Sequence, residues 1–97
     1  MSITIKEVNG IYLGSPENIK KTLINTKASL LESQSNRDLV EQLSELDIYL
    51  RKLSKIVKED SIRAIISILI DDIQEFENFE CGFKKIGDDL NKLIYFV

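Results

Sequence analysis

Apolar residues in this chain recur every third or fourth position. Between Leu39 and Val57 the rhythm is regular: Leu39, Leu43, Leu46, Leu50, Leu53 and Val57 follow one another in alternating steps of four and three. A helix turns by about 100° per residue, so these side chains share one side, the a/d pattern of a helix packed against other helices. Upstream, Ile19, Leu23, Thr26 and Leu30 mark a second such face, widened by Ile24 and Leu31. Downstream, Ile62, Ile66, Leu69, Ile73 and Phe76 repeat the pattern, and Ile65, Ile68 and Ile70 add apolar area almost all round. The first half of that third helix is therefore expected to be the most buried part of the fold. Taken alone, the run from Ala64 to Ile70 could pass for a buried strand, but its period continues into Phe76 with no turn residue between. Phe83, Ile86, Leu90, Leu93 and Val97 complete a fourth stripe.

Punctuation between the stripes sets the boundaries. Ser15-Pro16-Glu17 is a helix start: serine caps free N–H groups, proline suits the first turn and glutamate complements the dipole. The polar stretch from Glu32 to Asn36 reads as a loop, Asp60 or Ser61 can cap the third helix, and Cys81-Gly82 breaks or bends the chain after it. Helices are predicted at about 16–33, 37–58, 61–80 and 83–96. Gly87 costs about 1 kcal/mol relative to alanine within a helix, so a turn ending there, with Asp88 capping a shorter last helix, is the alternative. Residues 1–14 differ: Ile3, Ile5 and Val8 alternate with polar residues, and Asn9-Gly10 is a tight-turn dipeptide. They predict a small hairpin or an extended arm packed on the rest, since a lone hairpin is marginal in water. The fold class expected is all-α, a small antiparallel bundle of three to four helices behind that N-terminal segment.

Length keeps this to one domain: 97 residues bury roughly 60–65% of the surface of the unfolded chain, enough for one core. Cys81 stands alone, so no intramolecular disulfide forms. Met1 to Glu7 lacks the layout of a signal peptide, and no apolar run is long enough to span a bilayer. A cytoplasmic protein without membrane contact is expected. Abundant Ile, Lys, Asn and Ser point to an AT-rich, bacterial or phage gene.

Composition narrows the chemistry further. The chain has no histidine, which removes the commonest general base and the commonest zinc ligand. A pI near 4.9 argues against nucleic-acid binding, which needs clustered lysine and arginine. Gly10, Gly14, Gly82 and Gly87 make no phosphate-cradling loop. Asp71-Asp72-Ile73-Gln74-Glu75 is similar to the aspartate-rich Mg²⁺ motif of prenyl-transferring enzymes, but it occurs once, ends in glutamate and sits in a chain far too short for that fold. No catalytic residue, metal site or cofactor is expected, and the chain reads as a non-enzyme.

Charge placement supplies the remaining candidate. Helix two carries Asp38, Glu41, Glu45 and Asp47 in its first half and Arg51, Lys52, Lys55 and Lys58 in its second, as the helix dipole favours. Helix three does the opposite, with Asp71, Asp72, Glu75, Glu77 and Glu80 approaching its C-terminus and no lysine or arginine between Ala64 and Phe83. The ordinary meaning of such a run is a solvated face; the sharper one is a surface for a basic protein, because a field of one sign steers association. Asp71, Asp72, Glu75 and Glu77 are the candidate partner-binding residues. Tyr49 joins them, since it falls off the Leu39–Val57 stripe and is expected to be exposed. In size, acidity and want of catalytic equipment the chain is similar to small bacterial immunity proteins and antitoxins, which implies neutralisation of a basic toxin such as a nuclease by direct binding. The alternative is a structural, chaperone or adaptor protein acting through helix packing, as a homodimer or with another chain.

Overall fold

The computed structural model describes residues 3–77 and 82–97. Its four helices are α1 (Pro16–Leu31), α2 (Asn36–Ile56), α3 (Asp60–Glu77) and α4 (Phe83–Phe96). The connections are short, so each helix runs antiparallel to the one before it, and α4 returns beside α1 to close the ring. The all-α bundle expected from the periodicity is the architecture observed. Packing is uneven: α3 lies closely against α2 and α4, whereas α1 rests more loosely on α4 and α2.

The predicted stripes build the core. Ile19, Leu23 and Leu30 enter it from α1, Leu43, Leu46, Leu50, Leu53 and Ile56 from α2, Ile62, Ile66, Leu69 and Ile73 from α3, and Ile86, Leu90 and Leu93 from α4. Val97 docks behind them, so the apolar chain end belongs mostly to the core, while Tyr95 stays outside. The widening residues behave differently. Ile24, Leu31 and Ile68 are exposed, and the first half of α3 is not buried all round. Among the described residues nothing covers Ile24, Leu31 or Ile68, which lie away from the inward stripe of their helices.

Local chemistry accounts for the boundaries. The Ser15 hydroxyl accepts the N–H of Asn18 at 3.3 Å and caps α1, as its sequence predicts. Ser35 caps α2 by accepting the N–H of Asp38 at 3.1 Å, so this helix begins at Asn36. It stops at Ile56, short of the predicted Lys58, because Val57 turns extended (φ −82°, ψ 131°) and pairs with Ile5. Helix α4 runs through Gly87 unbroken; the shorter helix capped by Asp88 does not form. Residues 78–80 of the predicted third helix, and Cys81, lie outside the described residues.

The N-terminal segment is an extended arm. Its hairpin character is confined to one bridge, Val8 to Ile11, closed by the Ile11 N–H on the Val8 carbonyl at 3.1 Å. Gly10 supplies the positive φ of 84° that this turn needs. The arm spends its other hydrogen bonds on the α2–α3 connection. The Lys6 N–H donates to the Ile56 carbonyl at 2.8 Å and the Lys58 N–H to the Thr4 carbonyl at 3.0 Å. The Thr4 N–H reaches both carboxylate oxygens of Glu59, at 2.9 and 3.1 Å. That backbone bond holds the Glu59 carboxyl below its ordinary pKa, and it seats Ile3 in the core.

Candidate functional site

Successive steps of about 100° spread the acidic stretch of α3 around the helix, and each carboxylate meets a different neighbour. Glu77 turns toward α2, where its Oε1 accepts the Ser44 hydroxyl at 3.2 Å. Asp71 points outward and is exposed. Asp72 and Glu75 turn toward α4. Asp72 is only 2% exposed, and its Oδ1 lies 3.1 Å from the Lys85 ammonium. The same ammonium stands 3.8 Å from Oε2 of Glu75.

Asp72 is therefore an inward residue rather than a surface contact, which corrects its assignment as a partner-binding side chain. Leu69 and Ile73 flank it on the buried stripe, and α4 closes over that flank. Of the four candidate acids, Asp71, Glu75 and Glu77 remain accessible, and they do not converge on one patch. Asp89 of α4 completes the inward cluster. A hydrogen bond with Asp72, desolvation and the repulsion of the Asp72 charge push the Asp89 carboxyl up to about 6, against the smaller opposing pull of Lys92 and Lys85. A protonated Asp89 can donate to Asp72 where two carboxylates would repel.

Tyr49 also departs from expectation. It is half-buried rather than exposed, and its hydroxyl oxygen is shut off from solvent without a hydrogen bond of normal geometry. Burial pushes its pKa up; the Thr22 hydroxyl draws it partly back, but Thr22 gives its own hydrogen to the Asn18 carbonyl at 2.9 Å. Tyr49 sits on the flank of the α2 stripe that faces α1, and there it lines a groove of about 540 Å³. On the α1 side the groove is walled by Thr22, Asn25, Thr26 and Ser29, and on the α2 side by Gln42, Glu45, Leu46 and Tyr49.

This seam is unusual for a helix pair. Thr22, Asn25, Thr26 and Ser29 follow the i, i+3, i+4, i+7 spacing that normally carries leucines between helices. Here hydroxyls and an amide face the longer Gln42, Glu45 and Tyr49 across the groove. Gln42 is tied to its own side, donating to Ser33 Oγ at 2.9 Å and to Asp38 Oδ2 at 3.3 Å. No lysine or arginine lines the groove. The polar stripe on α1 is legible in the sequence beside the apolar Ile19, Leu23 and Leu30, and Thr26 belongs to it rather than to the core face.

A second groove, of about 650 Å³, lies along α4 and is lined by Lys20, Asn91, Ile94, Tyr95 and Phe96. Tyr95 is 75% exposed and meets the Phe96 ring edge-on at 5.2 Å. Tyr12, in the arm, is likewise exposed. Among the described residues no helix is long and apolar enough to cross a membrane, and no three carboxylate or thiol side chains converge as a metal ion would require. No family model, curated protein or solved structure matches the chain.

Proposed function

We propose that this chain is a non-enzymatic protein-binding module that holds a basic protein, in its most concrete form a bacterial immunity or antitoxin-type inhibitor of a basic toxin. The observation that carries this reading is the α1–α2 seam: a helix pair that packing alone would line with leucines is lined with hydrogen-bonding groups and one carboxylate, and is left open. A net charge of −3 and the outward Asp71, Glu75 and Glu77 support approach by a cationic surface. These acids act in steering, and the groove in holding.

A photo-crosslinking residue placed at Ser29, on the groove wall, tests this in cells, with Lys55 on the outer face of α2 as the comparison. The expected result is an adduct with one basic protein from position 29 and none from 55, lost when Glu45→Lys is added. Equal labelling from both positions would remove the module reading. A self-adduct would favour the second reading, a helical structural or adaptor protein, for which the exposed Tyr12 and Tyr95 are the supporting observation. Sedimentation as a monomer at micromolar concentration would count against that second reading.

A further inference from the structure

The α1–α2 groove combines chemical features that narrow what it can hold. Glu45 lines it, and among the described residues no ion pair engages this carboxylate, in contrast to Glu41, Asp47, Asp60 and Asp72, each of which meets an arginine or lysine. One helical turn along α2, Tyr49 brings an aromatic ring to the groove wall. Across the groove, Thr26, Ser29 and Asn25 add further oxygen acceptors. The site is thus rich in acceptors, carries one negative charge, has an aromatic wall and contains no cation of its own.

A ligand complementary to it is cationic, flat enough to lie on a ring, and carries several N–H donors. An ammonium satisfies the first condition only. A guanidinium satisfies all three: it is planar, always charged, stacks on aromatic faces and presents five donors in a fixed fork. The groove is lined from both α1 and α2, so a side chain enters it from a surface laid across the two helices. We infer that the groove between α1 and α2 receives an arginine side chain of a partner protein, its guanidinium paired with Glu45 and stacked on Tyr49. This rests on the protein-binding reading above and names the contact by which it is made.

The probe is N-acetyl-arginine amide, titrated into the ¹⁵N-labelled chain at low salt and followed by amide chemical shifts, with the lysine and citrulline analogues in parallel. Citrulline keeps the shape of arginine and loses its charge. Expected are saturable shifts confined to residues 22–29 and 42–49, with a Kd on the order of millimolar as befits a single side chain. The lysine analogue should bind several-fold more weakly, and the citrulline analogue at least about tenfold more weakly. Glu45→Gln should weaken the arginine probe by about tenfold and Tyr49→Leu by several-fold, while Glu75→Gln on α3 leaves it unchanged. Glu45 is exposed, so its amide variant keeps the fold, and the dispersion of the spectrum checks this. Equal binding of the citrulline analogue, an unaltered Kd in Glu45→Gln, or shifts centred on Asp71 and Glu75 would overturn the assignment. A crosslinked basic partner with no arginine preference in the groove would sink this inference alone; no partner and no probe binding would sink both.

Discussion

Two seams of this bundle, α3–α4 and α1–α2, treat their polar groups in opposite ways. Where α3 and α4 pack together, Leu69, Ile73, Ile86 and Leu90 are all buried, and Phe76 meets Phe83 edge-on at 6.4 Å. The charge inside this seam, Asp72, is met by Lys85 arriving from the other helix. Between α1 and α2 the polar side chains are more numerous, less buried and poorly matched to each other. A buried charge by itself is thus no sign of a site in this molecule, since the most buried carboxylate among the described residues, Asp72, meets a lysine of the neighbouring helix. Capacity left unused in an open groove is the better sign, because folding alone gives no reason to keep it.

The largest expected effect tests whether the two seams differ in tightness. Leu90→Ala empties a closed contact and should cost about 3–5 kcal/mol, because the walls cannot collapse onto the space. Leu46 is nearly as well buried, at 3% exposure against 0%, but lines the open groove. Leu46→Ala leaves a space that water can enter, and should fall near about 2 kcal/mol, the low end of the range for such truncations. Urea denaturation of both variants gives the difference; equal losses would mean that the groove is as closed as the α3–α4 contact.

Next in size is the ion pair. Removing the ammonium with Lys85→Ala leaves Asp72 buried beside Asp89, and should cost about 1–3 kcal/mol at neutral pH. Lys85 is itself more than half exposed, which keeps the loss below that of a fully buried pair. The double variant Lys85→Met, Asp72→Leu should recover most of it, since apolar replacement removes the stranded charge. If Lys85→Ala unfolds at the same denaturant concentration as the parent, Asp72 has enough other support to stand alone.

These expectations also show what a single sequence can convey. The periodicity of Leu43, Leu46, Leu50 and Leu53, or of Ile62, Ile66, Leu69 and Ile73, marks the core because helix geometry relates near neighbours in the chain. The apolar character of Ile68 is local, whereas its exposure depends on what lies outside the ring. Asp72 is a sharper case. Its partner Lys85 lies beyond the α3–α4 connection, and nothing within one helical turn of Asp72 announces it, so the residue read as part of a surface run. Tyr49 lies next to the leucine stripe, and whether such a flank is covered depends on the neighbouring helix. Only the polar stripe on α1 carried that information.

A smaller effect follows from Asp89. Its folded-state pKa of about 6 stands above the ordinary 3.8, so between those values the folded chain binds more protons than the unfolded one. The stabilisation is fully present below about pH 4 and is lost as pH rises through about 6. The carboxyl is partly exposed, so the change is on the order of 1 kcal/mol after solvent screening. Glu59 works in the other direction, its lowered pKa giving stability that disappears as pH falls below the ordinary carboxylate range. Chemical denaturation between pH 5 and pH 7.5 therefore isolates Asp89. Asp89→Asn, which keeps a donor facing Asp72 at every pH, should flatten the profile and leave the protein more stable than the parent at pH 7.5. An unchanged slope in this variant would place the proton elsewhere.

The smallest effect discriminates most directly between the seams. Tyr49→Phe removes one hydroxyl and leaves the ring. Where a buried hydroxyl is well bonded, its loss strands a partner and costs about 1 kcal/mol or more. The Tyr49 oxygen is buried without a bond of normal geometry, so its removal relieves a desolvation penalty and strands nothing. The expected change in stability is between zero and about 1 kcal/mol in favour of phenylalanine, with binding of the arginine probe retained because the ring remains. A loss of stability above about 1 kcal/mol would mean that Thr22 and Tyr49 already satisfy each other. The α1–α2 seam would then be finished in the same sense as the α3–α4 seam, and its polar lining would need no ligand to account for it.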